Sequence, residues 1–359
     1  MRIAVIEHSG SGDYAEYIYS LIDEKAKQGN YLLKTWSNSV PAFQQQIEDD
    51  SIIYINIESN SSFILNWLYN VKIPSILKKT RAEIVIDLNG VASNKIKIPQ
   101  LIIADQFLFK KDKDNLTGIE KFALKNLHQS IKLAKNVLTY SSNKFTDTDS
   151  FKENVLQYIP FAAPDIFKVF EWHDKLMVKA NHADNKEYFL AVFDENDVDN
   201  FVLLLQAFTK FKKWQQSNMQ LLILPKYETF GTDILQKHKT YKYRDDVRLL
   251  EEIGERQMAA IFASASAFIH VDAVMPNLLM IATALKCGLP IISFVSDNIK
   301  EYAGNAGFYY TENNFDSIGN AIIQLYKDEN LQLQLREEAQ KRSEILNRSE
   351  CINKLWQLF

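Results

Sequence analysis

The sequence predicts an α/β protein of two doubly wound domains facing a central cleft. Three observations carry that expectation. At 359 residues the chain exceeds what one hydrophobic core normally serves. Apolar, strand-like runs alternate with helix-period segments in two successive series. Between the series, residues 164–186 carry Pro, Asn, Asp, His and several lysines without sustained periodicity, which marks a boundary between domains 1–163 and 164–339.

The first series opens with RIAVIE, a β-branched strand run, followed by the turn-like HSGSGD and apolar residues at helical spacing over 14–28. SIIYINI at 51–57, AEIVIDL at 82–88 and QLIIAD at 100–105 read as buried strands, with a helix over 62–79 between the first two. NVLTYS (136–141) and NVLQYIPF (154–161) close the series. Strands alternating with helices imply a mainly parallel sheet covered on both faces.

In the second series EYFLAVF, MQLLILP, DVRLLEE, AFIHV, LPIISF and GFYY are the strands. Helices are expected over 200–214, 256–265, 276–287 and 315–328. Residues 330–359 read as one charged amphipathic helix whose end, about 340–359, returns to the first domain and buries Trp356 and Phe359.

Composition narrows the class. Hydrophobic residues are 47% and charged residues 24%, enough apolar material to fill two cores. The 41 Lys and Arg against 45 Asp and Glu give a net charge of -4, without the basic tract that neutralises a nucleic-acid backbone. Cys287 and Cys351 are too few for a disulfide framework or a four-ligand zinc site, so both are expected to be packing residues in a reducing compartment. The N-terminus shows no leader pattern, and the apolar stretch 257–271 is too short to span a bilayer. A cytoplasmic location is expected; peripheral contact with the inner face of a membrane is compatible with it.

Several residues fall where open α/β sheets bind ligands. His270 and Asp272 end AFIHV at the carboxyl edge, where they offer a proton carrier and an acceptor, or simply satisfy a loop. The helix expected from Pro276 would present main-chain N–H groups near Asn277 and Leu278 to a phosphate, as any helix start can. Lys226, just past MQLLILP, is a substitute cation or a solvated lysine. Arg244 and Arg248 are explained equally well by surface ion pairs. Gly10, Ser11 and Gly12 form either a loop that lets a ligand approach the backbone or a plain tight turn. HSGSGDY lacks the third glycine of a dinucleotide fingerprint, and Asp23 and Glu24 lie inside a helix, so an oxidoreductase ranks low. No HExxH, EF-hand or nucleophile-elbow pattern occurs.

Two Rossmann-like domains in tandem with a terminal helix resemble the GT-B architecture, and specific stretches resemble family 4 retaining glycosyltransferases. VLQYIPFAAPDIFK resembles that family's linker entry through Ile159, Pro160 and Phe167. EYFLAVFDENDVDNFVLLLQAFTKF and DVRLLEEI resemble strands and a helix of its donor domain. ALKCGLPIISFVSDNIKEYAGNAGFYY matches at Cys287, Gly288, Pro290, Glu301, Gly304 and Gly307. The resemblance implies a GT-B-like fold, a nucleotide-sugar donor in the second domain, a glycan or lipid-linked acceptor, retention, and no metal cofactor. It also makes Gly10, Ser11 and Gly12 the acceptor-side loop.

The chain departs from the pattern where the family's charged groups stand. Val192 replaces an arginine just after the first donor-domain strand, and Val198 or Asp199 stands near the place of a lysine. Met275 and Thr283 replace two glutamates eight residues apart, and Asn89 in IDLNG replaces a histidine. Two readings follow. Either the protein transfers a hexose using His270, Asp272 and Asn89 catalytically and Lys226, Pro276, Asn277, Leu278, Thr283 and Glu301 on the donor, or it is an inactive glycosyltransferase-like binding or partner subunit.

Overall fold

The structure is a computed structural model that describes residues 1–8, 12–29, 31–37, 51–103, 116–141, 156–273 and 276–359. The chain forms two compact units: Met1–Pro160 with Ser349–Phe359, and Phe161–Arg348.

The first unit is a parallel seven-stranded sheet with strand order β2-β3-β1-β4-β5-β6-β7. In chain order it contains β1 Arg2–His8, α1 Asp13–Gln28, β2 Leu32–Ser37 and β3 Ser51–Ile57. A helical segment follows, made of α2 Ser62–Trp67, a π turn Leu68–Lys72 and α3 Ile73–Thr80. Then come β4 Ile84–Asp87, β5 Gln100–Ile103, α4 Gly118–Leu133, β6 Asn136–Thr139 and β7 Leu156–Tyr158. Helices lie between the strands, so the sheet is buried and its β-branched runs are continuous rather than alternating. Ile6, Ile55, Leu65, Tyr69, Val85 and Phe122 belong to its core. The single helix expected over 62–79 is interrupted because Pro74 has no N–H to return to the carbonyl four residues back, and the backbone widens into the π turn before it. β2 was not anticipated: LLKTWS mixes polar and apolar residues too briefly to declare a period.

The second unit is a parallel six-stranded sheet with order β10-β9-β8-β11-β12-β13. It begins with α5 Trp172–His182, a helix where sequence periodicity showed none; its polar residues are interspersed with apolar ones, and Glu171 serves as N-cap. β8 Tyr188–Phe193, α6 Val198–Trp214, β9 Gln220–Pro225, α7 Thr232–Lys239, β10 Val247–Leu249 and α8 Glu255–Ser264 follow. The series continues with β11 Phe268–His270, α9 Leu278–Lys286, β12 Ile291–Phe294, α10 Asp297–Ala303, β13 Gly307–Tyr310 and α11 Phe315–Lys327.

α9 starts two residues later than expected, with Asn277 as N-cap, so Pro276 precedes the cap instead of occupying the first turn. Its end explains the CGLP stretch. Gly288 adopts φ +70, its N–H reaches the carbonyl of Leu285, and Leu289 N–H reaches that of Ala284. This left-handed stop favours glycine.

The C-terminal segment is two helices rather than one: α12 Glu329–Ile345 and α13 Arg348–Gln357. Residues of α13 lie in the first unit, where Trp356 meets Tyr31 edge-on at 5.9 Å and Lys354 Nζ donates to the Tyr158 carbonyl at 2.7 Å. Cys287 and Cys351 are both buried free thiols, and burial pushes the Cys287 thiol up to about 12, which makes it a packing group.

Candidate functional site

In a doubly wound sheet, ligands bind beyond the carboxyl ends of the two strands where the winding reverses. In the second unit those strands are β8 and β11, which are adjacent. β11 ends at His270 and continues to Asp272, whereas β8 leads into Asp194, Glu195, Asn196 and Asp197.

His270 is buried and carries two side-chain hydrogen bonds. Its Nε2 lies 3.2 Å from the N–H of Asn277, and its Nδ1 lies 3.2 Å from Ser293 Oγ on β12. Because Nε2 must accept, the proton sits on Nδ1 and is donated to Ser293. Burial drives the ring's pKa down to about 4, so the imidazole is neutral at physiological pH. The ring therefore ties the end of β11 to the start of α9. Asn277 in turn accepts the N–H of Met280 on its Oδ1 at 3.2 Å. The N–H groups of Leu278 and Leu279 have no carbonyl within α9 to bond, and they point out of the helix start. Main-chain donors and the helix dipole there suit an anion.

The neighbouring side chains carry the opposite charge preference. Asp197 caps α6 by accepting from Asn200 N–H at 3.3 Å and from its Nδ2 at 3.0 Å. Burial pushes the Asp197 carboxyl up, the Asn200 bonds pull it down, and the charges of Asp272 and Asp194 push it up again. Asp197 thus senses the charges of Asp272 and Asp194 at the switch point, a negative field that a bound anion would need cations to offset. Lys226 lies at the same edge, one residue past β9: its N–H donates to the Phe193 carbonyl at 2.6 Å and its Nζ sits 5.2 Å from the Tyr227 ring centre.

Other candidates are placed differently. Val192 lies inside β8, paired with Leu224, so the residues that actually follow the strand are acidic. Thr283 is buried and donates its hydroxyl to the Leu279 carbonyl at 2.8 Å, which leaves it no surface for a ribose hydroxyl. Glu301 is half-buried on α10, and its carbonyl accepts from the Arg342 guanidinium. Arg248 pairs with Asp184 and Arg244 lies 3.9 Å from Asp245, the surface ion pairs expected of them. Met275, Gly10 and Ser11 lie outside the described residues. Gly12 is the N-cap of α1.

Asn89 belongs to the first unit, at the carboxyl end of β4, which is adjacent to β1 at that unit's own switch point. Its N–H donates to Asp87 Oδ1 at 2.9 Å and its Nδ2 to the Tyr69 hydroxyl at 3.2 Å. Tyr69 donates to Asp87 Oδ2 at 2.7 Å, and Val91 N–H to Oδ1 at 3.0 Å. Burial nevertheless lifts the Asp87 carboxyl to about 7 against these donors. Sequence reading missed Asp87, Tyr69, Ser293 and Asp197. The signal for Asp87 was present, since a carboxylate ending an otherwise apolar strand needs buried partners.

Residues 173–342 match the family model described as glycosyl transferases group 1. Solved structures align over nearly the whole chain. Sucrose-phosphate synthase from Thermosynechococcus elongatus is 15% identical, with a TM-score of 0.76, covering 99% of this chain and 98% of that one. A glycosyltransferase from Rickettsia africae ESF-5 is 13% identical, with a TM-score of 0.73 and coverages of 99% and 97%. Anabaena Alr3699/HepE, solved in complex with UDP and glucose, is 13% identical, with a TM-score of 0.71 and coverages of 99% and 98%. The fold is thus the two-domain α/β fold of GT-B glycosyltransferase structures. No curated protein matches the sequence.

Proposed function

We propose that this protein transfers a hexose, with retention, from a nucleotide-sugar to a hydroxyl of a glycan or lipid-linked acceptor. The observation that carries the reading is the convergence of the α9 start on the β8–β11 switch point, within the stretch that matches the glycosyltransferase family model. HepE, with the same fold, has been solved with UDP and glucose bound.

In this reading Leu278 and Leu279 N–H groups hold a diphosphate oxygen, and Lys226 supplies the cation that the acidic β8 loop does not. Main-chain donors fixed before the reaction stabilise the leaving diphosphate without reorganising. His270 acts as a positioning residue: neutral and doubly bonded, it fixes Asn277 and the donors behind it. Asp272, at the same edge, is assigned to a hydroxyl of the transferred sugar. Asn89 supplies no base; its amide orders the Asp87 loop on the acceptor-side unit. No metal ion is required by this scheme.

A second reading, an inactive binding or partner subunit, is favoured by the repulsion that Asp272 and Asp194 exert on Asp197. Incubating the protein with a panel of nucleotide-sugars and membrane or glycan acceptors, with mass-spectrometric detection of the hexosyl product, decides between them. Turnover lost in Lys226→Ala supports transfer. Nucleotide binding with neither transfer nor hydrolysis selects the second reading, and indifference to every nucleotide rejects the donor site altogether.

A further inference from the structure

We propose that the amino edge of the second unit's sheet holds a neutral, hydroxyl-rich saccharide in a pocket of its own, apart from the donor edge. A cavity of about 360 Å³ opens there, with Phe189 and Met219 among its apolar lining. Its polar lining comes from Glu187, Asn218 and Ser266, which stand shortly before β8, β9 and β11, and from Tyr326, Glu329 and Gln332, at the end of α11 and the start of α12. The donor edge lies at the other end of the strands, about 20 Å away along the six residues of β8. A cavity of this size suits a mono- or disaccharide.

The lining selects the occupant. It contains two carboxylates and no Lys or Arg, so a phosphate or nucleotide is repelled. An ammonium ligand is disfavoured as well, because Lys179 is already paired with Glu187, and Lys175 and Arg336 feel the same carboxylate. What remains is a set of hydrogen-bonding groups beside an aromatic ring. Glu187 is held on one oxygen by Lys179 and accepts from Ser266 Oγ at 3.1 Å on the other. Gln332 donates from Nε2 to the Leu325 carbonyl at 2.8 Å, which leaves its Oε1 to accept. The side chains of Asn218 and Glu329 make no hydrogen bond or ion pair with the described residues. Such groups take the hydroxyls of a sugar ring, whose C–H face needs an apolar partner. Tyr326 supplies one: its ring is fixed edge-on by Phe211 at 5.1 Å and by Trp214 at 6.2 Å, and Trp214 is itself 45% exposed. A glycan held here is anchored rather than transformed, and stays with the protein between encounters at the donor edge.

This inference stands apart from the proposed transfer, because binding is measurable without any nucleotide. The test is saturation-transfer NMR and calorimetric titration of the full chain with maltose, cellobiose, lactose and mannobiose. At least one disaccharide should bind. Its affinity should fall about fivefold in each of Asn218→Ala and Glu329→Ala, the weight of about one hydrogen bond, and about tenfold in Tyr326→Ala. Tyr326→Phe, which keeps the ring, should retain binding. Saturating UDP and the Lys226→Ala substitution should both leave it unchanged, since they act at the other edge of the sheet. A protein that binds the disaccharide in this way but transfers no sugar would refute the transfer alone. Binding of no disaccharide, binding indifferent to the three alanine substitutions, displacement by UDP, or spermidine bound there in preference to every disaccharide would each overturn the proposal.

Discussion

The N–H of Asn277 donates to Nε2 of His270 at 3.2 Å, so the residue that opens α9 is held by the residue that ends β11. The geometry fixes the tautomer and ties the start of a helix to the sheet edge at the switch point of the second unit. A histidine in the middle of a ligand edge invites a proton-transfer role, yet this one is occupied on both nitrogens and stays neutral.

Replacing His270 by Phe keeps the volume but removes the acceptor of Asn277 and the donor to Ser293. A loss of about 1–3 kcal/mol of stability in the second unit is expected, together with weaker binding of nucleoside diphosphates. His270→Gln, which can both accept and donate, should recover part of each. Urea unfolding and calorimetric titration of the same variants check this.

Two buried groups, one in each unit, give the units opposite pH responses. His270 has its folded pKa lowered from 6.5 to about 4, so its contribution is complete above 6.5 and is lost as pH falls through about 4. Asp87 has its folded pKa raised from 3.8 to about 7, so its contribution is complete below 3.8 and is lost as pH rises through about 7. Hydrogen exchange, corrected for intrinsic rates, should show β11 losing protection and β4 gaining it as pH falls across the shared window. Asp87→Asn should flatten the β4 response alone.

Removing the Tyr69 hydroxyl takes a donor from Asp87 inside the core. Tyr69→Phe is expected to cost about 1–3 kcal/mol and to raise the Asp87 carboxyl further, moving the β4 exchange profile to higher pH. A variant with an unmoved profile would show that burial alone sets that carboxyl.

The acidic switch point should oppose diphosphate binding. Asn caps helices as well as Asp does, so Asp197→Asn should keep α6 intact while lessening repulsion. At an effective dielectric near 20, removing one charge about 8 Å from a phosphate is worth on the order of 2 kcal/mol before screening. Roughly tenfold tighter nucleoside diphosphate binding is therefore expected for Asp197→Asn or Asp272→Asn. Weaker binding in both would mean that these carboxylates contact the ligand through hydrogen bonds or a cation.

Most of the fold was legible because the winding strands are continuous apolar runs of ordinary length, as in AFIHV and LPIISF, and because CGLP announces a helix stop. β2 and α5 were not, since LLKTWS and WHDKLMVKANH distribute polar residues without a clean period. In the candidate site, placement was readable from sequence only where a polar residue and a strand end coincide: His270 ends β11 and Lys226 follows β9. Its electrostatics were hidden because Asp197 and Asp272 become neighbours through the β8–β11 pairing, across more than seventy residues of chain. Thr283 shows the reverse: given a donor role by the resemblance, it turns its hydroxyl onto its own helix.

The most direct test of the donor site is hydrogen exchange of the peptide spanning 276–286 in the full chain, with and without each of the common nucleoside diphosphates. One nucleotide should slow exchange at Leu278 and Leu279, and Lys226→Ala should weaken the effect. Binding that leaves those amides unprotected, or no binding by any nucleotide, would contradict a diphosphate held at the start of α9.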